Sequence, residues 1–207
     1  RQSKGPLVLT HLPPESRGIA GVALDEAQGI QLAVEHLVGL GHQHLHWAGP
    51  SPKTHESGAR RAQAFRLACQ GMSVQFSEIV TAQCDLGTAE VIESARAALS
   101  PLLQKSQRPT ALVCYHDPIA LGALVAARRA NVEVPQDLSI IGFDDTFGDV
   151  ADPPLTTLSH QPIRMAEAAV DVLLEILTKS SDAEFGSNPI KISPELVQRE
   201  STSRFRH

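Results

Sequence analysis

Aromatic side chains are scarce in this chain: one Trp, one Tyr and six Phe among 207 residues, or 4%. Alanine, leucine, valine and isoleucine must therefore fill the interior, which suits helices packed on a sheet better than an aromatic-rich β-sandwich. Basic runs are missing as well. Lys and Arg number 18 against 23 Asp and Glu, a net charge of −5, and nowhere do five or more cations gather. Phosphate contacts need clustered positive charge, so nucleic-acid binding by this segment is disfavoured. The apolar runs are broken by Gly, His or Glu well before the length of a membrane-spanning helix. Arg1 to Pro6 has a basic flavour but lacks the apolar stretch of a secretory signal. The three cysteines, Cys69, Cys84 and Cys114, are odd in number and lie in apolar stretches, which reads as reduced thiols of a cytoplasmic protein rather than a disulfide framework. Three chemical signatures are also absent. There is no Gly-x-Gly-x-x-Gly and no Gly-Lys-Ser/Thr to cradle phosphates, and no Gly-x-Ser-x-Gly nucleophile elbow.

What is present is an ordinary globular balance, 42% hydrophobic and 20% charged, over a length worth roughly 1.4 domains at about 150 residues each. Apolar runs and helical stripes alternate. Gly5 to Thr10 and Ile19 to Leu24 read as strands, and Glu26 to Leu40 as a helix with Ala27, Ile30, Val34, Leu37 and Val38 on one stripe, closed by Gly41. A strand at Leu45 to Ala48, a helix at Ser57 to Gln70, a strand at Ser77 to Thr81 and a helix at Thr88 to Leu103 follow. Next come a strand at Thr110 to Cys114, a helix opened by Pro118 and running to Arg129, and the clearest strand, Leu138 to Gly142. Leu155 to Leu158, a long helix from Gln161-Pro162 to Leu177, an exposed turn at Ser180 to Ser187, and short strands near Ile190 to Ile192 and Leu196 to Gln198 complete the chain. Apolar strands alternating with helices predict a doubly wound α/β fold on a parallel sheet. In such folds ligands bind beyond the carboxyl ends of the strands, which directs attention to His11, Ser51 to Arg61, Asp85, His116-Asp117 and Asp144-Asp145.

Two constellations admit a bland and a sharp reading. His42, His44 and His46 would share one face of an extended strand as a zinc site, but their neighbours look like a helix end running into a strand and no Cys or Asp stands at ligand spacing. Asp144-Asp145 after a strand could be a phosphoacceptor or Mg²⁺ pair, yet no Lys follows the later core strands as that chemistry requires. Neither metal nor cofactor is expected. The remaining polar groups bind and orient rather than react. An Arg61 fork and an Asp144 carboxylate can clamp vicinal hydroxyls, the alternative being a structural ion pair.

A series of motifs narrows this further. Val-Glu-His-Leu-Val-Gly-Leu-Gly-His at Val34 to His42, Ala48-Gly49-Pro50 and Ala120-Leu121-Gly122-Ala123-Leu124 resemble the effector-binding domain of the lactose/galactose repressor (LacI/GalR) family. So do Val134 to Asp145, Pro153 to Leu158 and Glu195 to Thr202, in family order and spacing from about Leu7 to Thr202. The resemblance implies a periplasmic-binding-protein-like domain of two α/β lobes with a small effector in the cleft. It implies a homodimer, and operator binding through an N-terminal helix-turn-helix that would precede Arg1. Arg61 matches the family's effector-clamping arginine, Ser57 its polar neighbour, Asp144 the acidic residue across the pocket, Gln161 a hinge-proximal polar position and, loosely, His11 a polar one. His116 stands where the family usually has Asn, Leu86 where many members stack an aromatic ring, and Ala64 where Gly is common, which puts an ordinary hexose in doubt. By the same resemblance residues 1–23 and 160–187 belong to the N-terminal lobe, and 24–159 with the strands and tail of 188–207 to the other, so one lobe is whole and the second a remnant with unpartnered apolar faces. The expected function is effector sensing by a cytoplasmic, non-enzymatic transcriptional regulator of a sugar-like or nucleoside-like metabolite. The alternative is a solute-binding protein of an ABC-type transporter.

Overall fold

The computed structural model describes residues 7–13, 15–16, 18–53, 55–81, 87–178 and 188–205. In chain order its elements are β1 (Leu9–Leu12), β2 (Gly21–Leu24), α1 (Glu26–Gly39), β3 (His44–Gly49), α2 (Glu56–Gly71), β4 (Gln75–Val80) and α3 (Thr88–Leu103). They continue with β5 (Ala111–Cys114), α4 (Asp117–Arg129), β6 (Ser139–Phe143), β7 (Thr156–Ser159), α5 (Pro162–Thr178), β8 (Ile190–Ile192) and β9 (Glu195–Val197). The chain divides into two compact units, Arg1–Asp25 with His160–Pro194, and Glu26–Ser159 with Glu195–His207.

The larger unit is built on a six-stranded sheet in the order β4-β3-β5-β6-β7-β9, parallel except for the β7–β9 pair. Its central strands are buried along their whole length because they are mostly Ala, Leu, Val, Ile and Phe, with Cys114, Ser139 and Gly142 among them, and have helices packed against them. Phe143, Leu112, Ile140 and Ile141 are fully buried, as are Phe65 of α2 and Ile30 and Leu37 of α1. The α1 face follows from its apolar spacing: Ile30, Ala33, Val34 and Leu37 lie three and four residues apart and face inward together. Gly41 ends that helix at φ +94°, a conformation that costs glycine little.

The base of the sheet is laced by the C-terminal segment. Ser201 Oγ donates to the Ile140 carbonyl (2.6 Å) and accepts from Thr156 N (2.8 Å), and Ser203 N donates to Ser139 Oγ (3.0 Å). His42 joins this seam through Thr110 Oγ1 (3.1 Å), Ser139 Oγ (3.1 Å) and the Ser203 carbonyl (3.2 Å). It therefore lies outside β3 and does not share a face with His44 and His46. His44 is exposed on Ser77 Oγ (2.9 Å), and His46 is buried with its ring 4.4 Å from that of His44. Among the described residues no three His, Cys, Asp or Glu side chains gather as metal ligands.

The smaller unit has a three-stranded parallel sheet, β1-β2-β8, and the helix α5. The strand at 190–192, expected with the other C-terminal strands, pairs instead with β2, so the chain returns to the larger unit only at β9. The reason is pairing: Ile190, Lys191 and Ile192 run parallel to Val22, Ala23 and Leu24, and Asp25 N extends the ladder onto the Ile192 carbonyl at 2.9 Å. Helix α5 buries Met165 and Val172 while Ile163, Val170, Leu174 and Leu177 are exposed. The turn expected at Ser180 to Ser187 lies outside the described residues.

Candidate functional site

Three neighbouring strands of the large sheet, β3, β5 and β6, run parallel, so the segments leaving their carboxyl ends emerge on the same edge. From β3 the chain passes through His55 into α2, from β5 through Tyr115 and His116 into α4, and from β6 directly to Asp144. Polar residues far apart in sequence thereby meet.

Arg61 is at the centre. It lies in the second turn of α2, yet it is only 8% exposed. Its Nε donates to Glu26 Oε1 at 2.7 Å, and its Nη1 donates to the Tyr115 carbonyl at 2.7 Å and lies 3.8 Å from Asp144 Oδ1. The guanidinium carbon sits 3.7 Å from the Phe143 ring centre and 4.7 Å from that of Tyr115. Two ring faces and a buried carboxylate thus fix the orientation of the fork, which only a planar, delocalised cation permits. Glu26 opens α1 and also accepts from Arg60 Nε at 3.0 Å, so one buried carboxylate serves two cations.

Asp144 stands opposite with backbone φ +94°, followed by Asp145 at +56°. Non-glycine residues adopt such angles at a cost that surrounding contacts must offset, and Asp tolerates them better than most. Asp117 supplies part of that support. Fully buried, it accepts from Thr157 Oγ1 (2.6 Å) and Phe147 N (3.0 Å), which ties down the turn leaving β6, while burial pushes its carboxyl above the usual range. Gly142 makes room for it, since a Cβ there would collide with Asp117 Oδ1. Asp145 points to different work: its carboxylate pairs with Arg199 at 2.8 Å, and Arg199 also holds Asp149 at 2.8 Å. The Asp144-Asp145 pair is therefore split between two cations, which is not the shape of a shared Mg²⁺ site.

Around Arg61 and Asp144 lie Ser57, Tyr115, His55 and His116. Ser57 Oγ is 2.7 Å from the Tyr115 hydroxyl, and the Tyr115 ring contacts those of His55 (5.3 Å) and His116 (4.9 Å). Burial holds the His116 imidazole below its ordinary pKa, against the opposing pull of its own carbonyl and of Asp144.

Of the residues singled out from the sequence, Arg61, Asp144, His116 and Ser57 come together here. Gln161 and His11 belong to the smaller unit, which is described by itself. There Gln161 donates to the Ser193 carbonyl (2.9 Å) and accepts from Arg164 (2.9 Å), and His11 lies edge-on to His160 at 5.4 Å. Both have positive φ, +50° for Gln161 and +57° for His11. Leu86 and Asp85 lie outside the described residues. Glu26, Tyr115 and Phe143 were not singled out, and His55 entered only as part of the stretch Ser51 to Arg61. Glu26 looks like an ordinary acidic first-turn residue, and Phe143 like strand core; only their juxtaposition with Arg61 marks them.

Parallel strands with binding groups at their carboxyl edge define a ligand-binding domain of the periplasmic-binding-protein type, and the profile of the periplasmic binding protein-like domain matches residues 34–202. The chain belongs to that family, in the form found in LacI/GalR-type transcriptional regulators. It is 37% identical over 191 residues to the HTH-type transcriptional regulator MalR of Streptomyces coelicolor, a match covering 88% of this chain and 52% of that protein. Against the arabinose metabolism transcriptional repressor of Geobacillus stearothermophilus the identity is 33% over 184 residues, covering 87% and 49%. The crystal structure of a LacI transcriptional regulator from a Rhodococcus species superposes with a TM-score of 0.77 at 27% identity, covering 98% of this chain and 71% of that one. The chain spans about half the length of the curated relatives it matches. No helix among the described residues is long and apolar enough to cross a membrane.

Proposed function

We propose that this chain is the effector-binding part of a cytoplasmic, dimeric LacI/GalR-type regulator that senses a small sugar-like or nucleoside-like metabolite and passes its occupancy to operator DNA through a separate DNA-binding segment. The observation that carries this reading is the fixed Arg61 fork facing the Asp144 carboxylate, on one edge of a parallel sheet. A guanidinium that donates and a carboxylate that accepts match the alternating donors and acceptors of a polyol. The groups are arranged to bind rather than to react. Ser57 has an imidazole nitrogen 3.3 Å away, but that Nδ1 already accepts from Gly58 N at 3.1 Å and so is not free to take a proton. A regulator also agrees better than a transporter's solute-binding protein with the relatives, which are named as transcriptional regulators. Coupling follows from differential affinity: an effector that favours one arrangement shifts DNA affinity by the same factor.

Thermal denaturation with a panel of pentoses, hexoses, sugar acids and nucleosides tests the reading. One or more should raise the melting temperature of the wild-type chain without being converted to product. Asp144→Asn, which tolerates the same backbone angle, should abolish that rise while leaving the unliganded melting temperature nearly unchanged. Turnover of any panel member would overturn the non-enzymatic reading.

A further inference from the structure

Two imidazoles in this site have their tautomers set by helix ends. His55 is the N-cap of α2, its Nδ1 accepting from Gly58 N at 3.1 Å, and His116 is the N-cap of α4, its Nδ1 accepting from Ile119 N at 3.3 Å. An imidazole that accepts at Nδ1 is neutral and carries its single proton on Nε2. Neither Nε2 has a hydrogen-bond partner among the described residues, although both rings are half-buried against Tyr115. Helix capping therefore holds two N–H donors of defined identity beside the Arg61–Asp144 cluster, neither with an acceptor among the described residues.

Resting on the reading of this cluster as an effector site, we infer that His55 and His116 are specificity-determining ligand contacts, each presenting Nε2–H to a proton-free oxygen of the effector. A ring oxygen, a carbonyl or a carboxylate qualifies, while the ligand's hydroxyl protons are taken by Asp144. Histidine at both positions selects against ligands that present only donors on that side, because an N–H facing an N–H or O–H proton leaves both groups unsatisfied.

At His116 the same geometry makes binding proton-linked. Protonation turns Nδ1 into a donor that opposes the capping N–H, so the ring must turn away from its helix. Around His116, burial most of all, with Arg61 and His55, opposes the protonated form, while its own carbonyl and Asp144 favour it. The Asp117 carboxylate next in sequence is engaged by Thr157 and Phe147, and Tyr115 and Ser57 are uncharged. Affinity should thus be constant above neutrality and fall as the pH drops through the imidazole range.

The test is calorimetric titration of the wild-type chain with L-arabinose, D-ribose, D-galactose and D-glucuronate at pH 8, 7, 6 and 5, beside variants that separate capping from donation. Asn caps through its amide oxygen and still offers an N–H without titrating; Ser caps but withdraws the donor. His116→Asn should keep affinity within about threefold at pH 8 and flatten its pH dependence. His55→Ser or His116→Ser should lose about tenfold or more, about 1.4 kcal/mol, with melting temperatures close to wild type. Wild-type affinity in the Ser variants, or an unchanged pH dependence in His116→Asn, overturns the inference and leaves the effector-site reading standing. No binding of any probe by wild type overturns that reading and this inference with it.

Discussion

Glu26 holds Arg60 and Arg61 at once, and the consequence is that the central cation of the proposed site is not a free surface group. A cleft arginine recognised from sequence alone would be expected to contribute little to stability. Burial to 8% exposure, with Glu26 and two aromatic faces around it, argues otherwise. Removing one partner of a buried ion pair leaves the other uncompensated. Glu26→Ala should accordingly cost about 2–4 kcal/mol in urea denaturation and abolish the ligand-induced rise in melting temperature together with it. Arg61→Lys should also abolish that rise, because an ammonium cannot stack on Phe143 and reach Glu26 and the Tyr115 carbonyl in one plane. Arg61, Asp144, His116 and Ser57 were legible as residue types at motif positions. Tyr115 was not, and His55 only as one of the stretch Ser51 to Arg61, since a Tyr at a strand end and a His before a helix gain meaning once the fold sets their rings 5.3 Å apart.

At the scale of elements, β3 carries a titratable group into the core. His46 is buried with its Nδ1 unpartnered, and burial together with the neighbouring His44 lowers its pKa to about 4. The folded chain thus resists a proton that the unfolded chain takes up near pH 6.5. Stability from this residue is complete above pH 6.5 and declines as the pH falls, until the folded form is itself protonated near pH 4. The loss is on the order of 3 kcal/mol. His46→Leu should be neutral or stabilising at pH 7, since it removes an orphaned polar atom, and should flatten the stability profile across that window in urea titrations. Helices α3 and α4 meet at Gly122, where a Cβ would lie 2.5 Å from the Ile92 carbonyl and 2.6 Å from the Ala95 Cβ. Gly122→Ala should therefore destabilise by about 1–3 kcal/mol, measured by denaturant unfolding. Helices and central strands were legible because their apolar spacing is regular. The partner of β8 was not: Ile-Lys-Ile specifies a short strand but not which sheet accepts it.

For the molecule as a whole, the two units differ in how much they bury. The larger has six strands and helices α1 to α4; the smaller has three strands and α5, on which Ile163 and Leu177 are 74% and 61% exposed. Amide protection follows buried contacts, so hydrogen exchange monitored by mass spectrometry should be faster in β1, β2 and α5 than in β5 and β6. Periodicity, turn residues and ordered motifs are local properties read along the chain, so they carry the fold class, the family and the candidacy of Arg61 and Asp144. The fold had to supply the burial of Arg61 against Glu26, the pairing of Asp145 with Arg199 instead of a shared site, and the meeting of two capping imidazoles at one cluster. Those facts depend on which strand ends lie side by side, and adjacency in a parallel sheet is set by crossovers between segments far apart in sequence.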